Sequence, residues 1–483
     1  MDNSFKNIAT KGIKWSVIDN VANSGITFLV GLILARLLTP SEFGIIGIIT
    51  VFIAIGQTFI DGGFSNALIR KIDVSDKDYN TVFYSSIIIS LLIVIVLWFL
   101  SKHIAVFFDL PILEDIMPVM SLILIIGSLS IVQRTDLIRK IDFKTQAKIS
   151  LIASVGSGII GISLAFLEFG VWSLVAQQIS RQILVTLFLW ILDKWKPAIL
   201  FSLKSFKELF GFASKILLSN LINSFYKNGF TFIIGKFYSA EQLGQYSRAE
   251  QFNTIATNNL VGVIQKVSFP VLSSIQDDKD RLIRNFKRVL IYSSIVTFPL
   301  VLGIGAIAEP LIVFLIGDKW LDAVLYLQLM CVYGILYPMT AINLNMLNIE
   351  GRSDLILKME FIKKILFIPL FFIGYYFSLI TLLISITIYY YIEFYFNSYY
   401  SERFFGYSTW QQIKDVIPIL LISFSVSSIL WSVTLLSLPN LLILILQAII
   451  FCILYPLLFK IFRINEFNEL TEIALVQIRK KQR

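Results

Sequence analysis

Residues 35–46 read ARLLTPSEFGII, and residues 235–246 read GKFYSAEQLGQY. Set against each other at this offset, Arg36 falls on Lys236, Gly44 falls on Gly244, and Glu42 lies one residue from Glu241. Upstream, Asn20, Asn23 and Ser24 fall on Asn220, Asn223 and Ser224 in the same register. Each copy is an apolar helix with a polar stripe, closed by a cation, a tight turn and a second apolar helix. Further along, RKIDVSDKD (70–78) answers SSIQDDKD (273–280). Two membrane hairpins can look alike by composition, but agreement at several polar positions favours duplication. A duplicated hydrophobic unit is how carriers are built, with the substrate path between the halves.

Composition supports that reading. Of 483 residues, 57% are hydrophobic and 15% charged, and the mean hydropathy is +0.79. Apolar runs of about 20 residues recur along the whole chain, each long enough to cross the hydrocarbon core of a bilayer. The pattern predicts an all-α integral membrane protein with about fourteen spans, at 13–37, 45–69, 81–100, 116–134, 148–167, 171–192, 211–235, 243–268, 288–308, 323–347, 357–376, 379–398, 416–436 and 440–461. Helices are required because backbone polar groups in lipid must be satisfied within the segment. Residues 1–205 and 206–405 are expected to form two pseudo-symmetric six-helix lobes. Residues 406–462 add two C-terminal helices, and 463–483 form a basic tail.

With the N-terminus placed in the cytoplasm, about 34 of the 41 lysines and arginines fall on the cytoplasmic side. Only Arg36, Lys102, Lys236 and Lys319 fall outside, and Arg181, Lys227 and Arg248 remain within spans. Both termini are then cytoplasmic. The net charge of +9 reflects topology and contact with anionic membrane lipids, not nucleic acid. The N-terminal MDNSFKNIATKGIKW has no small-residue cleavage site, so the first span is expected to be retained. Six spans separate the copies, so the two lobes should be related by an axis along the membrane normal.

An ionisable group inside a membrane is costly and is a functional candidate by default. Arg181 lies mid-span, with Gln177 and Gln178 one turn earlier on its face, a setting that suits an anionic headgroup such as pyrophosphate. The alternative for Arg181 is an interhelical ion pair, with Asp61 as the mate. Lys227 sits in a stripe of Asn220, Asn223, Ser224 and Thr231 that suits a wet cavity, or it snorkels from mid-helix. Arg36, Lys236 and Arg248 could ring an outer mouth, or they could fix helix depth at the headgroups. Asp61 and Asp19 could carry a coupling proton or Na⁺, although neutralising Arg181 or Lys227 is the favoured role. Glu360, Lys363 and Lys364 read as a solvated charge cluster, and Trp320 in GDKW as an interfacial aromatic.

Several signatures are absent. Cys331 and Cys452 both lie in apolar runs and His103 is the one histidine, so no metal or His-based catalytic centre is expected. There is no GxxxxGK[ST] phosphate loop and no sizeable loop to hold a catalytic acidic pair. The chain reads as a carrier, not an enzyme. A membrane glycan polymerase fails on loop length. A membrane scaffold should lack polar interior stripes.

The ordered strings KGIKWS (11–16), ARLLTPSEFG (35–44), DGGFSNALIRK (61–71), GVWSLVAQQ (170–178), IIGKFYSAEQLGQYSRAEQF (233–252), FPVLSSIQDD (269–278), FLIGDKW (314–320) and GRSDLILKMEFIKK (351–364) resemble the polysaccharide transporter family. More narrowly, they resemble its Wzx-type lipopolysaccharide and O-antigen flippases, within the multidrug/oligosaccharidyl-lipid/polysaccharide exporter superfamily. The resemblance implies two six-helix lobes plus two helices. It also implies transfer of an undecaprenyl-pyrophosphate-linked oligosaccharide across the bacterial cytoplasmic (inner) membrane by alternating access. The lipid-linked oligosaccharide is the implied partner, together with the glycan polymerase and chain-length machinery. No cofactor is implied beyond a possible H⁺ or Na⁺ gradient. Family members often carry an acid in the stretch matching KNGFTFIIG (227–235). Lys227 and Asn228 stand there instead, which weakens a coupling role for that span. A cation-coupled multidrug or small-solute antiporter of the same superfamily is the alternative. It would favour an acid-rich cavity, whereas the mid-membrane excess here is basic.

Overall fold

The computed structural model describes residues 3–472, so most of the expected basic tail lies outside the described residues. Among the described residues there are eighteen α-helices, one short 3₁₀ turn and no strand. The chain forms two compact units, Met1–Ser247 and Arg248–Arg483.

The first unit contains α1 (Asn3–Leu37), α2 (Pro40–Asp61), α3 (Phe64–Arg70), α4 (Asp76–Phe108), α5 (Leu113–Ser128), α6 (Ile131–Arg139), α7 (Phe143–Phe166), α8 (Val171–Leu192) and α9 (Leu203–Phe237). It also contains the opening turns of α10 (Ala240–Ser273). Helix α1 packs on α7 and α7 on α8, while α5 bridges α4, α2 and α8. Helix α9 packs against α2, α3 and α4, so it travels with the first unit.

Local chemistry explains the breaks. Thr39 and Glu42 form a capping box at the start of α2: Thr39 N–H donates to Glu42 Oε2 at 2.6 Å, and Glu42 N–H to Thr39 Oγ1 at 3.5 Å. Pro40 sits in the first turn, where its missing N–H costs nothing. The second copy repeats the device at the start of α10. Ser239 N–H donates to Gln242 Oε1 at 3.4 Å, and Gln242 N–H to Ser239 Oγ at 3.1 Å. Gln242, not Glu241, therefore does the work of Glu42.

The two copied turns meet each other. A Cβ added to Gly44 would lie 1.7 Å from the Ala240 carbonyl oxygen, and one on Gly244 would lie 1.8 Å from that of Pro40. The contact is reciprocal, and only glycine permits so close a backbone approach.

Expected span 323–347 is interrupted at 335–336, and two further spans are broken helices. Gly62 and Gly63, at φ of 51° and 75°, divide 45–69 into α2 and α3. Span 116–134 becomes α5 and α6, bent by 43°. Such a bend frees carbonyls that must find donors inside the membrane. Helix α8 supplies them: Trp190 Nε1 donates to Leu129 O at 2.7 Å, and Thr186 Oγ1 to Ile126 O at 2.9 Å.

The second unit holds most of α10, then α11 (Lys279–Ala306), α12 (Ala308–Ile316), α13 (Leu321–Gly334), α14 (Tyr337–Ile349), α15 (Ser353–Phe377), α16 (Leu379–Phe405), α17 (Thr409–Val433) and α18 (Asn440–Ile461). Helix α11 packs on α13, α14 and α17, α16 lies against α13, α14 and α15, and α18 lies on α17 and α12. Trp320, expected in an interfacial belt, is fully buried with Phe286 and Phe298, because its 3₁₀ turn folds it under α12 and α13.

All fourteen expected spans fall on helices. Ten stretches are long and apolar enough to cross a membrane, and the bent α5–α6 pair makes an eleventh. Helices α9, α10 and α15 are not among them; Glu360, Lys363 and Lys364 interrupt the apolar run of α15.

Candidate functional site

The first unit encloses a cavity of about 800 Å³ between α1, α6, α7 and α8. Helix α1 lines it with Ser16, Asp19, Asn20, Asn23 and Thr27 at helical spacing. Helix α8 contributes Gln177, Gln178, Arg181 and Gln182, so the amide-and-guanidinium face read from the sequence points inward. Helix α7 adds Gln146 and Ser150, and α6 adds Arg134.

Arg181 is held from α1: its Nη2 donates to Asn23 Oδ1 at 3.2 Å, and Ser154 Oγ donates to the same oxygen at 2.5 Å. Asp19 is the carboxylate that acts electrostatically on Arg181. The mate expected for Arg181 was Asp61, but Asp61 closes α2 and accepts a hydrogen bond from Ser65. Arg134 acts on both Arg181 and Asp19. Two guanidinium groups and one carboxylate thus leave one positive charge among amides and hydroxyls. Asp19 Oδ1 is buried with no hydrogen-bond partner among the described residues. An environment with planar donors and carbonyl acceptors suits a ligand carrying both phosphate charge and hydroxyls.

Sequence reading placed Arg134 at the edge of a span and gave it no role. Only the bend between α5 and α6 turns α6 so that Arg134 reaches the cavity. The signal was present in SLS (128–130), whose serines can satisfy a broken helix: Ser130 Oγ donates to Gly127 O at 3.0 Å.

The remaining candidates lie elsewhere. Lys227 is exposed on α9, as is Asn223, while Asn220 is half-buried, and none of the three lines this cavity. Lys236 donates to the Phe107 carbonyl, lies 3.5 Å from Asp109 Oδ2 and sits 4.7 Å above the Phe107 ring. It is thereby tied to the end of α4. Arg36 is exposed at the end of α1. In the second unit, Arg248 Nη1 donates to Gln251 Oε1 at 2.6 Å.

Residues 33–325 match the polysaccharide biosynthesis protein family. The chain belongs to that family. It is 26% identical over 347 residues to the teichuronic acid biosynthesis protein TuaB of Bacillus subtilis (strain 168), covering 71% of this chain and 72% of the relative. It is 25% identical over 373 residues to the lipopolysaccharide biosynthesis protein WzxC of Escherichia coli (strain K12), covering 77% and 76%. Its fold is that of the lipid II flippase MurJ in an inward closed conformation. The TM-score is 0.74 at 18% identity, over 93% of this chain and 98% of that one.

Proposed function

We propose that this protein is a flippase moving a polyprenyl-pyrophosphate-linked oligosaccharide across the bacterial cytoplasmic membrane. One observation carries the reading: a polar cavity of about 800 Å³ among membrane-length helices, with Arg181 and Arg134 on its wall. A diphosphate and its hydroxyl-rich sugars cannot cross hydrocarbon unaided. The arginines take the phosphate charge, the glutamines and asparagines take the hydroxyls, and the prenyl tail stays in lipid. Alternating access moves the headgroup, with both termini in the cytoplasm. The names of TuaB and WzxC place those relatives in teichuronic acid and lipopolysaccharide biosynthesis, which supports this substrate class. The glycan polymerase then receives the exported unit. The protein itself makes and breaks no covalent bond.

The test is complementation of a bacterium whose own lipid-linked glycan flippase is deleted but whose glycan pathway matches this protein. Surface glycan is scored at equal membrane levels of wild type, Arg181→Ala and Arg134→Ala. Restoration by wild type and loss in both variants supports flipping through this cavity. Restoration by all three would retain the function and remove the site. Failure of wild type, with export of organic cations in its place, would establish the antiporter instead.

A further inference from the structure

The loop that joins α8 to α9 reads DKWKPAILFS (193–202). It runs against the start of α4 and is strapped there at two points. The Ala198 N–H donates to Asn80 Oδ1 at 2.6 Å, and the Ser202 N–H donates to Thr81 Oγ1 at 3.1 Å. Asn80 is itself buried and fixed, since its Nδ2 donates to Asp76 O at 2.7 Å. The three residues between the straps, Ile199, Leu200 and Phe201, are held outward, and Ile199 is 97% exposed. Leu203 continues the exposed apolar patch into the first turn of α9. Leaving such a patch in water forfeits the gain from burying it. The loop follows directly on the membrane-length α8, so it lies where that helix leaves the bilayer. Lipid is therefore what covers the patch.

Beside it, the loop, α4 and the end of α6 enclose a pocket of about 460 Å³. Trp195 lines this pocket, with its ring 5.9 Å from Tyr79 and 5.6 Å from Phe83. Tryptophan suits headgroup depth, where the ring meets hydrocarbon and the N–H meets polar groups. The charged groups of the wall fall into two sets. Asp136 is engaged, because Tyr79 Oη donates to it at 3.1 Å and the Lys140 ammonium contacts it. Lys140 also lies 3.8 Å from Asp193. Lys194 is exposed and makes no ion pair among the described residues. Lys196 donates to Trp190 O at 2.6 Å, which occupies one of its three donors. Asp76 is the remaining acid of the wall. Lys204 and Lys207, both exposed, extend the basic character along the start of α9. Two ammoniums beside an apolar loop fit a phosphate joined to hydrocarbon chains. A free phosphate would gain nothing from the loop.

We propose that this pocket and loop bind an anionic phospholipid of the adjacent leaflet. Lys194 and Lys196 take its phosphate, and its acyl chains lie along Ile199 and Phe201. The pocket shares no lining residue with the Arg181 cavity, and the site does not rest on the flippase reading. A lipid seated here holds the straps between α4 and the approach to α9 against the membrane surface.

The experiment is native mass spectrometry of the full-length protein, with phosphatidylglycerol added to the detergent micelle. Wild type should retain a phosphatidylglycerol molecule that Lys194→Ala with Lys196→Ala holds about 30-fold more weakly, about fivefold for each lysine near an anionic surface. Ile199→Ser, at a position that packs on nothing, should also weaken retention while leaving the fold intact. Lys279→Ala with Arg284→Ala removes the same charge from exposed positions at the start of α11 and should leave retention unchanged. Equal losses in the two double variants would overturn the proposal, because the attraction would then be diffuse. Equal retention of phosphatidylethanolamine, displacement of the lipid by inorganic phosphate, or undiminished retention in either loop variant would overturn it as well.

Discussion

Arg181 in the first unit and Lys363 in the second are both cations in the middle of membrane-length helices, and the protein handles them in opposite ways. Arg181 opens onto a cavity, shares one carboxylate with Arg134, and borrows a neutral oxygen from Asn23. Lys363 is sealed and saturated by acceptors from two helices. A neutral acceptor and one shared carboxylate serve the first, and carboxylates in direct contact serve the second. The first arrangement leaves a guanidinium facing open space. The second leaves no open space at the ammonium.

Deleting the sealed cation should produce the largest effect. Lys363→Met removes the ammonium from the largely buried Glu393 and the half-buried Glu360, and a loss of about 3 kcal/mol is expected for breaking such a cluster. Thermal unfolding in nanodiscs should show it, and Lys363→Met with Glu393→Gln should recover much of the loss. A single variant as stable as wild type would mean that the cluster is hydrated, and the contrast with Arg181 would disappear.

Overpacking the reciprocal turn comes next. Gly44→Ala and Gly244→Ala each drive a methyl into the opposing carbonyl and should each cost about 1–3 kcal/mol. Gly25→Ala, with open space around its Cβ, should be neutral or slightly stabilising. Equal losses at the two glycines, measured by unfolding and by surface glycan, would confirm that the copies form one contact. A clear inequality would break the symmetry.

Removing the open cations should barely change stability and should strongly change transport. Arg181→Ala and Arg134→Ala each remove a charge-assisted contact worth about 1.5–3 kcal/mol to a bound anion, which is about tenfold or more in affinity. Arg181→Lys should restore the charge without the planar fork and recover only part of the activity. An unfolding temperature that falls in step with transport would place Arg181 with Lys363 as a structural cation.

The smallest effect concerns Asp193, just past the end of α8. Burial, and then the nearby Asp136 carboxylate, raise its pKa above the ordinary aspartate range, while Lys140 at 3.8 Å opposes the shift. The folded state therefore holds this proton more tightly than the unfolded state. Its stabilisation is present at low pH and is lost as pH rises through the raised value. Asp193→Asn should flatten that part of the unfolding-temperature profile. The Lys140 ammonium, raised by its hydrogen bond to Asp136, contributes stability that is lost only at alkaline pH, as pH rises through its raised value.

Much of the architecture was legible in the chain. Membrane-length helices follow from apolar runs, and the repeat is visible because Gly44 and Gly244 must both be glycine at a shared contact. The inward face of α8 was legible because Gln177, Gln178 and Arg181 repeat at helical spacing. Arg134 was not, since its reach depends on a 43° bend whose direction is set by donors on α8. The sequence offered both Asp19 and Asp61 to neutralise Arg181, and only packing brings Asp19 to it. Glu393 was passed over inside an aromatic-rich span, 30 residues from the lysine it meets.

By itself, then, the sequence determined the class of the protein, its helical segments, the likeness of its two turns and its family. Those properties depend on hydropathy, periodicity and local turn chemistry, which act over a few residues at a time. The tertiary structure decided which charges are wet and which are sealed, which acid answers which base, and that the two copied turns clasp each other. Those outcomes depend on through-space distance between helices far apart in the chain, where displacement by one turn carries an arginine from a cavity wall into a sealed cluster.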